Sequence, residues 1–416
     1  MLSLVNRVLY EQRNRYLRFE YFNNVTNLPF HLQSYLLLIP SSSPSNKRKK
    51  VNIYTKIKYR YQAGYDHSFH VDASVGLTSS ALIEKLLNLD DISHLMFHDS
   101  EHHPFDQHFW NEISDMLVML ASRGLTDVTF KNSSTPYPLP PTLLLRNMHS
   151  HHNSRASIAL ASHFPASLTK LSLSGLIDNP LDFILPNGLK MLDLSFAYNW
   201  NQPLLKGGLP GGLEILNFGE SFNQPIQSGV LPITLRDLRF DDDFNQPLNG
   251  NNLPPSLTKL HLKGTKHSHP LHNLPPGLTH LTLSDCYHHL IDHQPLQTLS
   301  VGLTLDLTRP LINLRHLIFS QLVHNILEQI NSITFPQLTS LETDWVENIN
   351  KDVLSKLPTT LKRLSITSSS ISSLGILDGL EDLILSAKNI TADKETPFHI
   401  PKTTKSLELS HITGDN

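Results

Sequence analysis

The chain has 416 residues, 39 % hydrophobic and 17 % charged, a balance that suits several ordinary domains or one long array. A net charge of −3 gives no general attraction to nucleic acid or to an anionic membrane, and a single cysteine, Cys286, excludes an internal disulfide framework. The apolar run Leu2 to Val5 is too short for a secretory signal, and no stretch approaches the roughly 18 apolar residues of a membrane span, so a cytoplasmic location is expected.

Residues 1–62 form a segment of their own. Leu4, Val5, Val8 and Leu9 suit an amphipathic helix, and Ser41 to Asn46 reads as a polar linker. The run Lys47-Arg48-Lys49-Lys50 reads as a solvated loop rather than an import signal. Val51, Ile53, Ile57, Tyr59 and Tyr61 then alternate as one strand. The expected role of this α/β segment is an N-terminal cap over the open end of a repeat array.

Residues 63–163 read as degenerate, helix-containing repeats. Ser80 is a helix cap ahead of Leu82, Ile83, Leu86 and Leu87. Leu95 with Phe97, and Val128 with Phe130, read as strands. Between them Phe109, Trp110, Ile113, Met116, Leu117 and Leu120 share one helical face, which Gly124 ends. Leu139-Pro140 opens a further degenerate copy.

Residues 164–296 carry a regular phrase: Pro, two spacers, Leu-x-x-Leu-x-Leu or Phe, then an aromatic followed by Asn-Gln-Pro. It runs from Leu185-Pro186 to Trp200-Asn201-Gln202-Pro203, from Leu209-Pro210 to Phe222-Asn223-Gln224-Pro225, and from Leu231-Pro232 to Phe244-Asn245-Gln246-Pro247. Leu253-Pro254 and Leu274-Pro275 open two copies whose endings have drifted. A period of about 22 residues means a solenoid, because one copy cannot bury its leucines and stacked copies can. The middle leucines are Leu171, Leu192, Leu216, Leu238, Leu260 and Leu281 here, and Leu317, Leu341, Leu364, Leu383 and Leu407 beyond.

The leading Pro fixes φ and donates no N–H, so it suits the approach to a strand. The aromatic is expected to plug the core behind the strand, and its Asn to bond the backbone of the adjacent coil. Gly207-Gly208, Gly229 and Gly250 supply the return. The backs of these coils are therefore expected to be extended. On this phrase the chain resembles the FNIP-repeat proteins of the social-amoeba type, within the leucine-rich-repeat class. The resemblance implies a mainly β repeat solenoid with a curved parallel sheet and an extended or short-helical convex side. Because related amoebal repeat proteins often begin with an F-box, it also implies an alternative role: a ubiquitin-ligase substrate adaptor with an F-box-like N-terminal segment.

Residues 297–416 are divergent leucine-rich repeats, with Pro336, Pro358 and Pro401 retained. The 36-residue step from Leu281 to Leu317 reads as an insertion over 284–316, in which Leu303, Leu305 and Leu307 alternate. Helices are expected near Leu322 to Ile330 and Asp352 to Leu357.

The chain holds 24 histidines. One cluster is His98, Asp99, Glu101, His102, His103, Asp106 and His108. Two others, His267, His269, His272 and His288, His289, His293, lie in successive coils and should be neighbours. They are the candidate metal ligands, though their spacing matches no zinc signature, so no metal or other cofactor is assigned. Cys286 beside His288 reads as structural, and Asp241 to Asp243 as a solvated turn. No catalytic motif is present, so a non-enzymatic role is expected.

The core columns are monotonous, whereas the columns on the other face of the strands vary. There stand Met191, Asp193, Ile215, Asn217, Asp237, Arg239, Lys259 and His261. Varied side chains on a rigid concave sheet suit a protein partner, with Met191 and Ile215 as its apolar anchor. The partner is unidentified; neither nucleic acid nor membrane is expected, and the oligomeric state is left open.

Overall fold

A computed structural model describes residues 52–55, 60–62, 68–72, 93–98, 107–131, 139–140, 142–152, 164–176, 185–262, 266–284, 287–302, 309–319, 326–349, 354–371, 377, 379–390 and 401–410. Its strands are β1 (Asn52–Thr55), β2 (Arg60–Gln62), β3 (Ser68–Asp72), β4 (His94–His98), β5 (Asp127–Lys131), β6 (Asn147–His152), β7 (Lys170–Gly175), β8 (Met191–Asp193) and β9 (Ile215–Asn217). They continue as β10 (Asp237–Phe240), β11 (Lys259–Leu262), β12 (His280–Thr282), β13 (Thr298–Val301), β14 (His316–Phe319), β15 (Ser340–Ile349), β16 (Arg363–Ile371), β17 (Asp382–Ile390) and β18 (Ser406–Ser410). Helix α1 spans Gln107–Ser122, and a 3-10 turn spans Ile326–Gln329.

All 18 strands join one sheet. From β3 onward each strand pairs in parallel with the next in chain order, the arrangement of a solenoid. One register runs through it: Phe69 faces Leu95, then Val128, Met148, Leu171, Leu192 and Leu216 follow in line. The reason is period 2: the middle residue and the one two later point into the coil, and a one-residue slip would expose every leucine. Leu171, Leu192, Leu216, Leu238 and Leu260 are each 0 % exposed. Burying one such side chain contributes about 2 kcal/mol, but only once its neighbours are stacked on it.

The same turn leads into most strands. The N–H of Leu189 donates to the carbonyl of Pro186, and Leu213 to Pro210, Leu235 to Pro232, Leu257 to Pro254 and Leu278 to Pro275 repeat it. Leu143 and Pro140 do so in the degenerate copy. Behind the strands the aromatics form one interleaved column. Phe218 lies 3.9 Å from Phe222 and Phe240 lies 3.8 Å from Phe244, centroid to centroid, while Trp200 stacks on Phe222 at 5.3 Å. The backs of the coils between β7 and β14 contain no helix among the described residues, as the Asn-Gln-Pro phrase implies. Helix α1 fills the longer coil between β4 and β5, with Ile113, Met116, Leu117 and Leu120 buried and Gly124 at φ 121° ending it.

Several expectations change. Residues 51–61 do not make one strand. β1 and β2 pair antiparallel, Ile53 opposite Tyr61, and β1 continues the sheet beside β3 with Ile53 opposite Phe69. The alternation of apolar residues simply carries on through a reversal of the chain. The step from Leu281 to Leu317 is a full extra coil rather than an insertion. Its strand is β13, with Leu299 opposite Leu281 on one side and Leu317 on the other. His293 takes the position of the leading Pro there, accepting the N–H of Leu296 on its carbonyl. The expected strand at Leu303 to Leu307 falls outside the described residues, as do residues 1–51, the helix after Ser80, and Cys286. Of the helix expected over Leu322 to Ile330, the described part holds a 3-10 turn over Ile326–Gln329, and residues 354–355 of the second are helical. Strands β15, β16 and β17 run for 10, 9 and 9 residues, longer than the repeats that match the phrase best. Leu407, in the core column, is 42 % exposed, and β18 pairs with β17 on one side only among the described strands.

Candidate binding face

Side chains on the face away from the core come from the residues either side of each middle leucine. Met191 pairs with Ile215 across β8 and β9, and both are partly exposed. Asp193 turns back on its own coil, its Oδ1 accepting the Ser195 N–H at 3.1 Å and the Ser195 hydroxyl at 2.7 Å. Asn217 leaves its Oδ1 buried without a partner. Met191 and Ile215 are therefore flanked by one committed polar group and one uncommitted one.

A polar cluster follows on β10 to β12. Arg239 Nε and Nη2 each donate to a different carboxylate oxygen of Asp237, both at 3.1 Å. That contact raises the Arg239 pKa above its ordinary value and fixes Asp237, which is 9 % exposed. His261 Nδ1 lies 3.0 Å from the Thr282 hydroxyl, and its Nε2 lies 3.6 Å from Asp237 Oδ1. Burial lowers the His261 pKa, with the Asp237 charge opposing and the Arg239 and Lys259 charges assisting. Asp237, His261 and Thr282 form a line, but the first contact is too long for a hydrogen bond and Arg239 holds both carboxylate oxygens. The cluster is a rigid set of donors and acceptors. Lys259 extends beside it, exposed.

Two aromatics at the rim escaped the sequence reading. Phe196 and Tyr198 are 55 % and 42 % exposed, and they lie in the turn that leaves β8. The Phe196 carbonyl accepts from Gly175 N–H, and Tyr198 N–H donates to the Gly175 carbonyl, so the turn is pinned to the end of β7. The signal was the spacing: Leu194 to Trp200 is two residues longer than Phe218 to Phe222 or Phe240 to Phe244. The extra length pushes Phe196 outward.

The two histidine groups are neighbours, as expected, but their side chains serve the coil. Oδ1 of Asn201 accepts the N–H of Asn223 at 2.9 Å, and Oδ1 of Asn223 accepts that of Asn245 at 2.9 Å. Oδ1 of Asn245 accepts the N–H of Ser268 at 3.1 Å, so the ladder continues after the Asn is lost. His269 Nε2 lies 3.2 Å from the Asn245 carbonyl, and His289 Nε2 lies 2.7 Å from that of Ser268. His293 Nε2 lies 3.0 Å from the Leu278 carbonyl, and burial lowers its pKa. His267 occupies the aromatic position of its coil, 1 % exposed. His272 forms an isolated parallel bridge with Asn249, and His288 is exposed. No group of three His, Cys, Asp or Glu among the described residues is placed to hold a metal ion. The first histidine cluster lies largely outside the described residues. At Asp241 to Asp243, Lys266 pairs with Asp243 at 2.5 Å, while burial and the adjacent Asp242 raise the Asp241 pKa.

A family model described as FNIP Repeat matches residues 200–243 and 244–289. Each matched stretch spans two coils, from Trp200 through Phe222 and from Phe244 through His267. No curated protein matches the chain. Among solved structures, CroV588, described as a novel circular LRR protein, is similar over 82 % of this chain and 69 % of its own, at 19 % identity and a TM-score of 0.36. No helix among the described residues is long and apolar enough to cross a membrane.

Proposed function

We propose that this FNIP-repeat solenoid holds another protein on the open face of its sheet and catalyses no reaction on it. The observation that carries this reading is the β8 coil. It presents Met191 next to Ile215 on the face and the exposed pair Phe196 and Tyr198 at the rim. Apolar and aromatic side chains on a backbone held by parallel strands lose little freedom on binding, which is what an interface anchor needs. The polar cluster of Asp237, Arg239 and His261 then sets register and excludes mismatched partners.

The test is affinity purification of the wild type beside two double variants, Met191→Asp/Ile215→Asp and Phe196→Ser/Tyr198→Ser. All four positions are at least partly exposed, so both variants should fold, and circular dichroism checks this. The same partner should be lost from both. A partner list unchanged in both variants overturns the reading.

A further inference from the structure

Strands β13 to β16 carry a shallow groove of about 440 Å³ on the open face, bordered by Thr298, His316, Ile318, Ser340, Glu342 and Arg363. Its charge is uneven. Arg363 is exposed and makes no ion pair within the described residues, although Asp382 stands beside it in register on β17, whereas Lys362 at the same margin is held by Glu381 at 3.2 Å. The apolar floor is Ile318, paired in register with Glu342 on the next strand. Ser340 stands between His316 and Arg363 in the adjacent row. An uncommitted guanidinium thus sits two strands from an apolar side chain, across a polar strip.

From this we infer that the groove takes an extended acidic peptide segment of the partner. The inference rests on the protein-binding reading above and names its chemistry at a second place on the same face. The segment places an apolar side chain on Ile318 and a carboxylate on Arg363, where two parallel N–H···O bonds can form. Two strand spacings and the one-pleat offset separate these positions by roughly 12 Å. In an extended peptide, residues i and i+4 lie on one side about 13 Å apart. The recognised pattern is therefore apolar-x-x-x-Glu or Asp. Residue i+2, lying over Ser340 and Glu342, is polar or basic. A nucleic acid fits less well. Glu342 faces the path a phosphate backbone would take, and of the bordering residues only His316 offers a ring on which a base would stack.

Fluorescence anisotropy tests this with purified full-length protein and a labelled peptide, Gly-Ser-Leu-Ser-Ser-Ser-Glu-Ser-Ser-Gly. Replacing the peptide Glu by Gln, or using Arg363→Ser protein, should each weaken binding about tenfold. Arg363→Lys should recover part of the loss, and Arg236→Ser, an exposed arginine on another coil, should bind as wild type. No binding, equal binding of the Gln peptide, or an equal loss in Arg236→Ser overturns the inference. So does tighter binding of a ten-residue oligothymidylate. If the peptide fails while Met191→Asp/Ile215→Asp still loses its partner, only this inference falls. If the peptide binds as expected while both double variants keep their full partner list, the anchor reading falls instead.

Discussion

The imidazole of His267 lies parallel to the ring of Phe244, with 6.0 Å between centroids and 2° between planes. On its other side Tyr287 stacks at 6.4 Å and 13°. Phe222 and Phe244 are separated by 6.1 Å, so the histidine sits in a phenylalanine position with the column spacing unchanged. Neither ring nitrogen has a hydrogen-bond partner. The Gln246 backbone approaches closely enough to favour the charged form, but not in hydrogen-bonding geometry. Stacking supplies what a phenyl ring would supply, and two polar atoms are left uncompensated.

This sets a pH dependence. Burial, helped by the charges of His269 and His289, lowers the His267 pKa from an ordinary 6.5 to about 4. The neutral ring is the folded form, so the fold is favoured fully above 6.5. As pH falls from 6.5 towards 4 the unfolded chain takes up a proton and the folded one does not, and stability is lost. The gap corresponds to about 3 kcal/mol for this coil. The lowered pKa values of His261, His280 and His293 act in the same direction. Thermal melts at pH 7.5, 6, 5 and 4 should show a falling midpoint. In His267→Phe the fall should be smaller and the pH 7.5 midpoint higher. Identical pH profiles for the two proteins would refute the assignment.

The Asn ladder makes a second prediction. Asn223 accepts the Asn245 N–H at 2.9 Å and the Gln246 side-chain amide at 3.0 Å, both through Oδ1. Asn223→Ala leaves that backbone donor unpaired and should cost about 1–3 kcal/mol in urea unfolding. Asn223→Asp keeps an acceptor in place and should cost less. Equal losses would mean that an acceptor at Oδ1 is not what the position requires.

Gly250 tests how closely the coils approach. A Cβ there would lie 2.1 Å from the backbone oxygen of Asn273, beside the bridge between Asn249 and His272. Gly250→Ala must push two coils apart and should cost at least about 2 kcal/mol. At Gly211 nothing lies within 4 Å of the added Cβ, so Gly211→Ala should change stability by less than about 0.5 kcal/mol. Matching midpoints for the two variants would contradict the close approach.

The leucine register, the buried aromatics and the Asn ladder were all legible in the chain, because each depends on a residue type recurring at a fixed distance. The coil around β13 was not. Its Pro295 stands two residues later than the leading Pro of other copies, and His293 fills that position, so Leu299 carried no recognisable preface. The reversal between β1 and β2 was hidden for another reason: apolar alternation fits one long strand and a hairpin equally well. On the open face of the sheet, the strand positions followed from period 2. Phe196 and Tyr198 lie in a turn whose direction depends on tertiary contact with Gly175, which no period encodes.

The charged cluster on that face yields a prediction with two signs. His261 is depressed mainly by burial, while the Asp237 charge raises its pKa and the Arg239 charge lowers it. Asp237→Asn removes the attraction and leaves the guanidinium, so the His261 pKa should fall further. Arg239→Gln removes the repulsion and leaves the carboxylate 3.6 Å from Nε2, so it should rise. Ring-proton titration of histidine-labelled protein by NMR reads both shifts, with His261→Gln assigning the resonance. Movement in the same direction in both variants would show that the substitutions act by changing solvent access. Opposite movement would establish that Asp237 and Arg239 reach the imidazole by charge.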